Sequence, residues 1–173
     1  SPGANELFGQ QILVLSNDNV LAIDPRDSFA ASLAGAVYLF NSSTGALISA
    51  LTGSAPNDSV GSGSVMVLGN GNYLVKSPDW SGTAGAVTWG SLTSGVSGAV
   101  SAANSLVGTT AGDSVGNFGI TELTNGNYVV NSPNWANGAA TNAGAVTWGN
   151  GATGVSGAVS AANSLVGTTA GDS

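Results

Sequence analysis

The chain has 173 residues, of which 42% are hydrophobic and only 6% are charged, so its composition fits a globular domain better than a disordered segment. Two cationic and nine acidic residues give a net charge of −7. This balance argues against binding to nucleic acid or an anionic membrane, because both need clustered lysine and arginine. Without histidine the chain has no imidazole base, without cysteine it has no thiol nucleophile, and its serines and threonines lack an activating neighbour in the sequence. We therefore expect a non-enzymatic protein without a cofactor.

Residue usage favours an exported protein. Lysine is scarce, and glycine, serine, threonine and asparagine are abundant in a repetitive chain without cysteine. This combination is typical of bacterial extracellular proteins that are stable without disulfide bonds. No apolar run approaches the length of a membrane span, and we expect any export signal to lie outside the segment or to have been removed. We expect an extracellular or cell-surface location, without insertion into a membrane.

Internal repeats divide the chain into three units. A lead-in of residues 1–7 matches the end of a preceding repeat, and it is followed by unit 1 (8–59), unit 2 (60–114) and unit 3 (115–173). Unit 1 is divergent, whereas units 2 and 3 end in the same twenty residues, GVSGAVSAANSLVGTTAGDS. We assign the differences in unit length to the segment between the proline motif and the following Gly-Ala-Val. Insertions confined to one segment predict a loop at one edge of each unit.

Three motifs recur in the same order in every unit. They are an asparagine-rich turn that leads into an apolar strand and a proline, a strand that begins Gly-Ala-Val, and an aspartate followed by serine. In chain order they read SNDNVLAIDP, GAVYLF and NDS, then GNGNYLVKSPDW, GAVTWG and GDS, then TNGNYVVNSPNW, GAVTWG and GDS. This fixed order indicates that the three units share one fold.

The pattern predicts four short strands in each unit. In unit 3 the first strand covers 118–123, and an Asn-Gly turn at 124–126 joins it to the second strand at 127–132. The third covers 143–149, and the fourth, with weaker β-propensity, covers 157–167. Four strands in about fifty residues are typical of a propeller blade. We therefore predict an all-β protein of three consecutive four-stranded antiparallel blade-like repeats, in an open array or as part of a propeller, with a β-solenoid as the alternative.

The order of these motifs resembles the FG-GAP repeat of integrin-α-like β-propellers. The resemblance is carried by the opening pairs Phe8-Gly9, Val60-Gly61 and Val115-Gly116, by Ser77-Pro78 and Ser132-Pro133, and by the strands that begin at Gly35, Gly85 and Gly144. The repeats also resemble those of very large bacterial surface proteins of the filamentous-haemagglutinin type. These resemblances imply a propeller-type fold and an adhesive or structural role.

One feature of FG-GAP repeats, the calcium loop, is missing. In its place stand the short turns Asn70-Gly71-Asn72 and Asn125-Gly126-Asn127, which cannot supply the six to eight oxygen ligands of calcium. Asp18, Asp24 and Asp27 cluster in unit 1, but they span a predicted strand and need not converge. We therefore predict no metal site.

Two groups of residues are candidates for function or for structure. Trp80 and Trp135, each beside an acid or amide (Asp79 and Asn134), are candidate glycan contacts, because a tryptophan at a loop can stack on a sugar; the alternative is that these rings pack between blades. The positions expected to be structural recur in the repeats: Trp89, Trp148, Asp58, Asp113, Asp172, Gly85 and Gly144.

Three units do not obviously close a propeller, so the terminal faces need partners. The chain begins and ends in the same phase of the repeat, which suits head-to-tail contact. We expect a structural or adhesive module of a bacterial surface protein or filament, whose partners are other copies or adjacent repeats. The alternative is a lectin-like propeller that binds surface glycans.

Overall fold

The protein forms three successive β-sheets, one for each predicted unit. A computed structural model describes Gly9 and residues 11–172. Three predicted features, namely the lead-in 1–7, Phe8 of the first Phe-Gly pair and the chain end at Ser173, lie outside the described residues. The predicted all-β class with antiparallel, blade-like repeats is confirmed.

Unit 1 is a four-stranded antiparallel meander. Its strands are β1 (Gln11–Val14), β2 (Val20–Asp24), β3 (Ala36–Phe40) and β4 (Leu47–Thr52), and each pairs with the next in the chain. Each face of this sheet carries apolar side chains, for example Leu21 and Val37 on one face and Ala22 and Tyr38 on the other, so both faces can pack against neighbours.

Unit 2 repeats this meander with one addition. Its strands in chain order are β5 (Val65–Val67), β6 (Tyr73–Ser77), β7 (Ala86–Gly90), β8 (Gly98–Ala99) and β9 (Ser105–Val107). The segment α1 (Trp80–Thr83) between β6 and β7 is a single tight turn in which Ser81 and Gly82 have left-handed backbone angles. The antiparallel order is β5-β6-β7-β9. The two-residue strand β8 takes no part in its own unit's sheet and pairs in parallel with β4 of unit 1.

Unit 3 has the same construction. Its strands are β10 (Ile120–Glu122), β11 (Tyr128–Ser132), β12 (Ala145–Gly149), β13 (Gly157–Ala158) and β14 (Ser164–Val166). The antiparallel order is β10-β11-β12-β14, whereas β13 pairs in parallel with β9 of unit 2. We call β8 and β13 the clasp strands, because each belongs in sequence to one unit and in hydrogen bonding to the sheet of the preceding unit.

The clasp strands correct two details of the sequence prediction. The predicted fourth strand at 157–167 is two strands, of which only β14 completes its own sheet. The length differences are also not confined to one loop: 23 positions separate Gly35 from Asp58, against 28 between Gly85 and Asp113 and between Gly144 and Asp172. Unit 1 is shorter there because β3 and β4 are joined by a direct turn and no clasp strand lies between them.

The sheets stack face to face, and the core lies between them. We call the face of a unit that points toward the following unit its forward face, and the opposite one its backward face. One cluster of buried residues joins the forward face of unit 1 (including Leu21, Val37 and Leu51) to the backward face of unit 2 (including Tyr73 and Val75). A second cluster joins units 2 and 3 in the same way. Most of the hydrophobic stabilisation therefore comes from contact between units.

Candidate functional site

The candidate functional site is the interface between successive units, where an apolar centre is surrounded by recurring hydrogen bonds. Its apolar centre consists of four forward-face positions that recur in each unit. They are Leu21, Val37, Leu39 and Leu51 in unit 1, Leu74, Val87, Trp89 and Leu106 in unit 2, and Val129, Val146, Trp148 and Leu165 in unit 3. All are buried in unit 1, and in unit 2 all are buried except the half-buried Trp89.

The same four positions are open in unit 3. Val146, Trp148 and Leu165 are 41%, 52% and 80% exposed, and Val129 is half-buried. The contrast has one cause: the forward faces of units 1 and 2 are each covered by the backward face of the next unit. No described residue covers the forward face of unit 3.

In units 2 and 3 the backward face carries a tyrosine packed against a glycine. Tyr73 lies opposite Gly90 on the neighbouring strand, and Tyr128 lies opposite Gly149. A Cβ atom on either glycine would come within 2.3 Å of the tyrosine Cζ atom, so only glycine leaves room for the ring. Burial raises the pKa of both tyrosines to about 12, and this effect outweighs hydrogen bonding of Tyr73 with Ser49 and of Tyr128 with the backbone of Val155.

Asparagine side chains form a polar node at one end of the interface. The carbonyl oxygen of Gly151 in unit 3 accepts hydrogen bonds from Asn70 Nδ2 (2.9 Å), Asn72 Nδ2 (3.0 Å) and Trp89 Nε1 (3.1 Å) of unit 2. Between units 1 and 2 the carbonyl of Leu92 accepts from two asparagines in the same way, Asn17 at 3.1 Å and Asn19 at 3.3 Å. The asparagine-rich turns therefore hold the following unit as well as reversing the chain.

A buried aspartate links the units at the other end. Asp113 Oδ2 accepts hydrogen bonds from the backbone N–H groups of Thr109 (2.9 Å) and Thr110 (3.0 Å), while its Oδ1 accepts one from Ala136 of unit 3 at 3.0 Å. Asp58 makes the equivalent three bonds, the third from Ser81 of unit 2. Both aspartates are almost fully buried, at 1% and 2% exposure. We call each of them an aspartate staple.

Asp172 occupies the same position in unit 3 and makes only the bonds within its own unit. Its Oδ2 accepts from Thr168 (3.3 Å) and Thr169 (2.9 Å), and the residue is exposed. Among the described residues, no N–H group bonds to its Oδ1.

The clasp strands close the outer edge of the interface. Gly98 and Ala99 of unit 2 lie beside Leu51 and Thr52, and the N–H of Val100 donates to the carbonyl of Thr52 at 2.9 Å. In unit 3, β13 pairs with β9, and the N–H of Val159 donates to the carbonyl of Val107 at 3.0 Å. Val100 and Val159 are both buried, so each clasp adds apolar contact to its hydrogen bonds.

The candidate glycan contacts lie in the segment between the second and third strands of their units. Trp135 is only 5% exposed and belongs to the core between units 2 and 3, so little of its ring faces solvent, and Asn134 beside it is half-buried. Trp80 is half-buried against the first core cluster. Asp79 is exposed, and its Oδ2 accepts a hydrogen bond from Ser62 Oγ at 2.8 Å. The two tryptophans belong to different core clusters, Trp80 to the one between units 1 and 2 and Trp135 to the one between units 2 and 3.

Asp24 and Asp27 of unit 1 accept hydrogen bonds from nearby groups, although Oδ2 of Asp24 is buried without a hydrogen-bond partner among the described residues. Asp24 accepts a hydrogen bond from the N–H of Arg26 at 3.0 Å, and Asp27 accepts from the N–H of Phe29 at 2.9 Å and from the hydroxyl of Tyr38 at 2.8 Å. Asp18 is an exposed turn residue with a φ of 65°. In the part of the chain that the structure describes, no three or more acidic side chains gather as a metal site would require.

The glycines that begin the Gly-Ala-Val strands lie at the junction between units. At Gly85 a Cβ atom would come within 2.4 Å of the backbone nitrogen of Val115, the first residue of unit 3, and φ is 79°. Gly35 stands in the same relation to Val60. Gly144 is the equivalent in unit 3, with a φ of 78°.

Sequence reasoning missed two parts of this interface: the clasp strands and the asparagine node. A signal for the clasps was present in the span from Gly35 to Asp58, which is five positions shorter than the equivalent spans of units 2 and 3. A segment that is absent from one unit need not belong to the sheet of the units that contain it. For the node, the signal was the Asn-x-Asn pattern that begins at Asn17, Asn70 and Asn125. Because a tight turn accounts for these asparagines, the pattern by itself did not indicate contact with the following unit.

The fold and this interface define a tandem-repeat protein whose units are four-stranded sheets joined face to face. Within the described residues, no helix has the length and apolar character needed to cross a membrane.

The chain belongs to the family described as a repeat of unknown function, DUF5650, whose model matches residues 67–117 and 122–173. The two matched copies begin at corresponding positions, the last residue of β5 and the last residue of β10. They include the polar node, the clasp strands and the aspartates of units 2 and 3. A search of curated proteins finds no match.

Proposed function

We propose that the chain is a non-enzymatic structural and adhesive module of a bacterial cell-surface protein or filament. The observation that carries the proposal is that units 1 and 2 are joined by the same set of contacts as units 2 and 3: an apolar face, an amide node, an aspartate staple and a clasp. An interface built twice from equivalent residues supports a function that depends on stacking units in a fixed geometry. The location outside the cell rests on composition.

The chemistry of the described surface supports a mechanical role. The interfaces use neutral amides, backbone groups and apolar side chains, and the two buried aspartate staples, Asp58 and Asp113, each accept hydrogen bonds from three N–H groups. With few charges involved, such contacts depend little on salt concentration. A stack of such units would present an extended surface on which equivalent residues recur at a fixed spacing. In an FG-GAP propeller, the same kind of stack would curve into a closed ring.

The proposal is tested on intact cells of the source organism. Antibodies raised against the purified chain should label unpermeabilised cells or material shed from them. Labelling that requires permeabilisation would contradict the surface location. An antibody against a cytoplasmic protein serves as the control for cell integrity.

Glycan binding is the second candidate, and exposed Asp79 beside half-buried Trp80 is the observation that favours it. The test is a glycan array with the purified chain and a Trp80→Ala variant, with folding followed by circular dichroism. Binding that the folded variant loses would support a lectin. If the wild-type chain gives no signal on the array, the result contradicts glycan binding and favours the structural role.

A further inference from the structure

We propose that the forward face of unit 3 is a preformed docking surface for a following, clasp-bearing repeat unit of the same type. The inference rests on the proposed function as a stacking module, and it specifies the partner and the contacts. Every element that units 1 and 2 use to hold the next unit is present on unit 3 and has no partner there among the described residues.

The apolar part of the surface is already shaped for an occupant. Two grooves of about 360 Å³ each lie on the forward face of unit 3, and both are lined by Val146 and Leu165. One groove extends to Asp172, and the other extends to Trp148. In unit 2 the equivalent residues, Val87 and Leu106, are fully covered in a cluster that contains Val115 and Tyr128 of unit 3.

The polar part of the surface is complete as well. Trp148 stands where Trp89 donates to the carbonyl of Gly151, and Asn125 and Asn127 stand where Asn70 and Asn72 donate. Asn127 is already oriented, because its Oδ1 accepts from the N–H of Gly151 at 3.1 Å, as Asn72 Oδ1 accepts from Leu92 at 2.9 Å. In a following unit, one backbone carbonyl would accept hydrogen bonds from Trp148, Asn125 and Asn127, as Gly151 does from their equivalents in unit 2.

The third and fourth elements are the staple and the edge strand. Asp172 is held by Thr168 and Thr169 in the same way as Asp113 is held by Thr109 and Thr110. Its Oδ1, to which no described N–H group bonds, is the equivalent of the oxygen that accepts from Ala136 in Asp113. Within the described residues, strand β14 pairs only with β12, and its other edge is open where β4 and β9 each accept a parallel clasp. An open edge next to an apolar face is a template for strand addition.

The clasp identifies the occupant. Units 2 and 3 contain one, whereas unit 1 lacks it and has Tyr38 and Phe40 at the backward-face positions of Thr88 and Gly90. Unit 1 of a second copy would therefore leave β14 unpaired and would present a different face. A unit like unit 2 or unit 3, joined in sequence so that its first valine enters the groove beside Asp172, satisfies all four elements.

The test extends the full chain by one unit, with a second copy of residues 115–173 fused after Ser173. Because the chain contains no cysteine, Leu165→Cys creates a single thiol on the docking surface in the natural and the extended chain. We expect thiol labelling to be at least about tenfold slower in the extended chain, because the thiol would react only after local opening. Phe29→Cys, which replaces a side chain that is 90% exposed in unit 1, should react rapidly in both chains.

A second readout does not depend on the cysteine. The indole N–H of Trp148, assigned in NMR spectra by its loss in Trp148→Phe, should exchange more slowly in the extended chain. Asp172→Ala in the extended chain should restore several-fold faster labelling of the thiol at position 165, because it removes the staple.

Three results are decisive. Slower labelling and slower indole exchange in the extended chain support the proposal. Equal rates in both chains, with the added unit folded by circular dichroism, overturn it. Labelling of the natural chain that slows as its concentration rises would also overturn it, since a second copy would then be the occupant. These outcomes do not depend on the cell-labelling experiment, so a failure of the surface location can be told apart from a failure of docking.

Discussion

The carboxylate of Asp113 in unit 2 accepts a hydrogen bond from the backbone N–H of Ala136 in unit 3, with Oδ1 and N 3.0 Å apart. The other carboxylate oxygen accepts from Thr109 and Thr110 within unit 2. One buried side chain therefore orders the end of its own unit and fixes the start of a loop in the next. Asp58 does the same between units 1 and 2.

The first prediction concerns this aspartate. Asp113→Ala removes three hydrogen bonds and leaves their N–H groups without that acceptor, so we expect it to lower the free energy of unfolding by about 2–4 kcal/mol. Asp172→Ala is the matched control: its two bonds lie at an exposed site and link no units, and we expect a loss of about 1 kcal/mol or less. Urea denaturation measures both. Equal losses in the two variants would contradict the role of Asp113 between units.

The second prediction compares equivalent tryptophans. Trp89 Nε1 donates to the carbonyl of Gly151, and Gly154 lies against its ring, whereas Trp148 is 52% exposed. Trp89→Phe should therefore cost about 1–2 kcal/mol of stability, while Trp148→Phe should change it by less than about 0.5 kcal/mol.

Fluorescence provides an independent check on this pair. Acrylamide should quench Trp148 more than Trp89, and the difference is read from the fluorescence that each Phe variant loses. Stronger quenching of Trp89 would show that the interface between units 2 and 3 is open in solution.

The third prediction concerns the glycine opposite a buried tyrosine. A Cβ atom at Gly90 would lie 2.3 Å from the Cζ atom of Tyr73, which is 1% exposed and cannot move without opening the core. We expect Gly90→Ala to destabilise the protein by about 3 kcal/mol, as overpacking does. Gly98→Ala is the control, because Gly98 has open space and only a φ of 93° to disfavour alanine, at roughly 1 kcal/mol. Thermal denaturation ranks the two variants, and the reverse order would refute the steric argument.

The fourth prediction is a loss of stability at alkaline pH. Burial raises the pKa of Tyr73 and Tyr128 from the ordinary 10.0 to about 12. A pKa that is higher in the folded state stabilises the fold fully below pH 10, and this contribution disappears as pH rises toward 12. Each tyrosine accounts for roughly 2–3 kcal/mol. Denaturation at pH 8 to 12 should show the loss.

Phenylalanine variants identify the groups responsible. Tyr73→Phe and Tyr128→Phe keep the ring and remove the ionisable hydroxyl, so each should lose less stability than the wild-type protein between pH 10 and 12. If the stability of the variants falls between pH 10 and 12 as steeply as that of the wild-type protein, groups other than these tyrosines cause the loss.

Much of the fold could be read from the sequence because its signals are local. Asn-Gly turns with glycine at positive φ, such as Gly71 and Gly126, separate apolar strands whose residues alternate between the two faces of a sheet. The recurrence of Asp58, Asp113 and Asp172 marked a repeated turn. The turns and strands depend on residues a few positions apart, and the recurrence of the same motifs along the chain gives the number of units.

The interface required the tertiary structure, because its partners are distant in sequence. Gly98-Ala99 could pair with any free strand edge, and a parallel pairing with Leu51-Thr52 has no sequence signature, since the hydrogen bonds are made by the backbone. The half of the aspartate staple that reaches Ser81 or Ala136, and the amide node on Gly151, likewise exist only when two units are stacked. Sequence established what each unit is, whereas packing between units determined which residues join them and which face is left open.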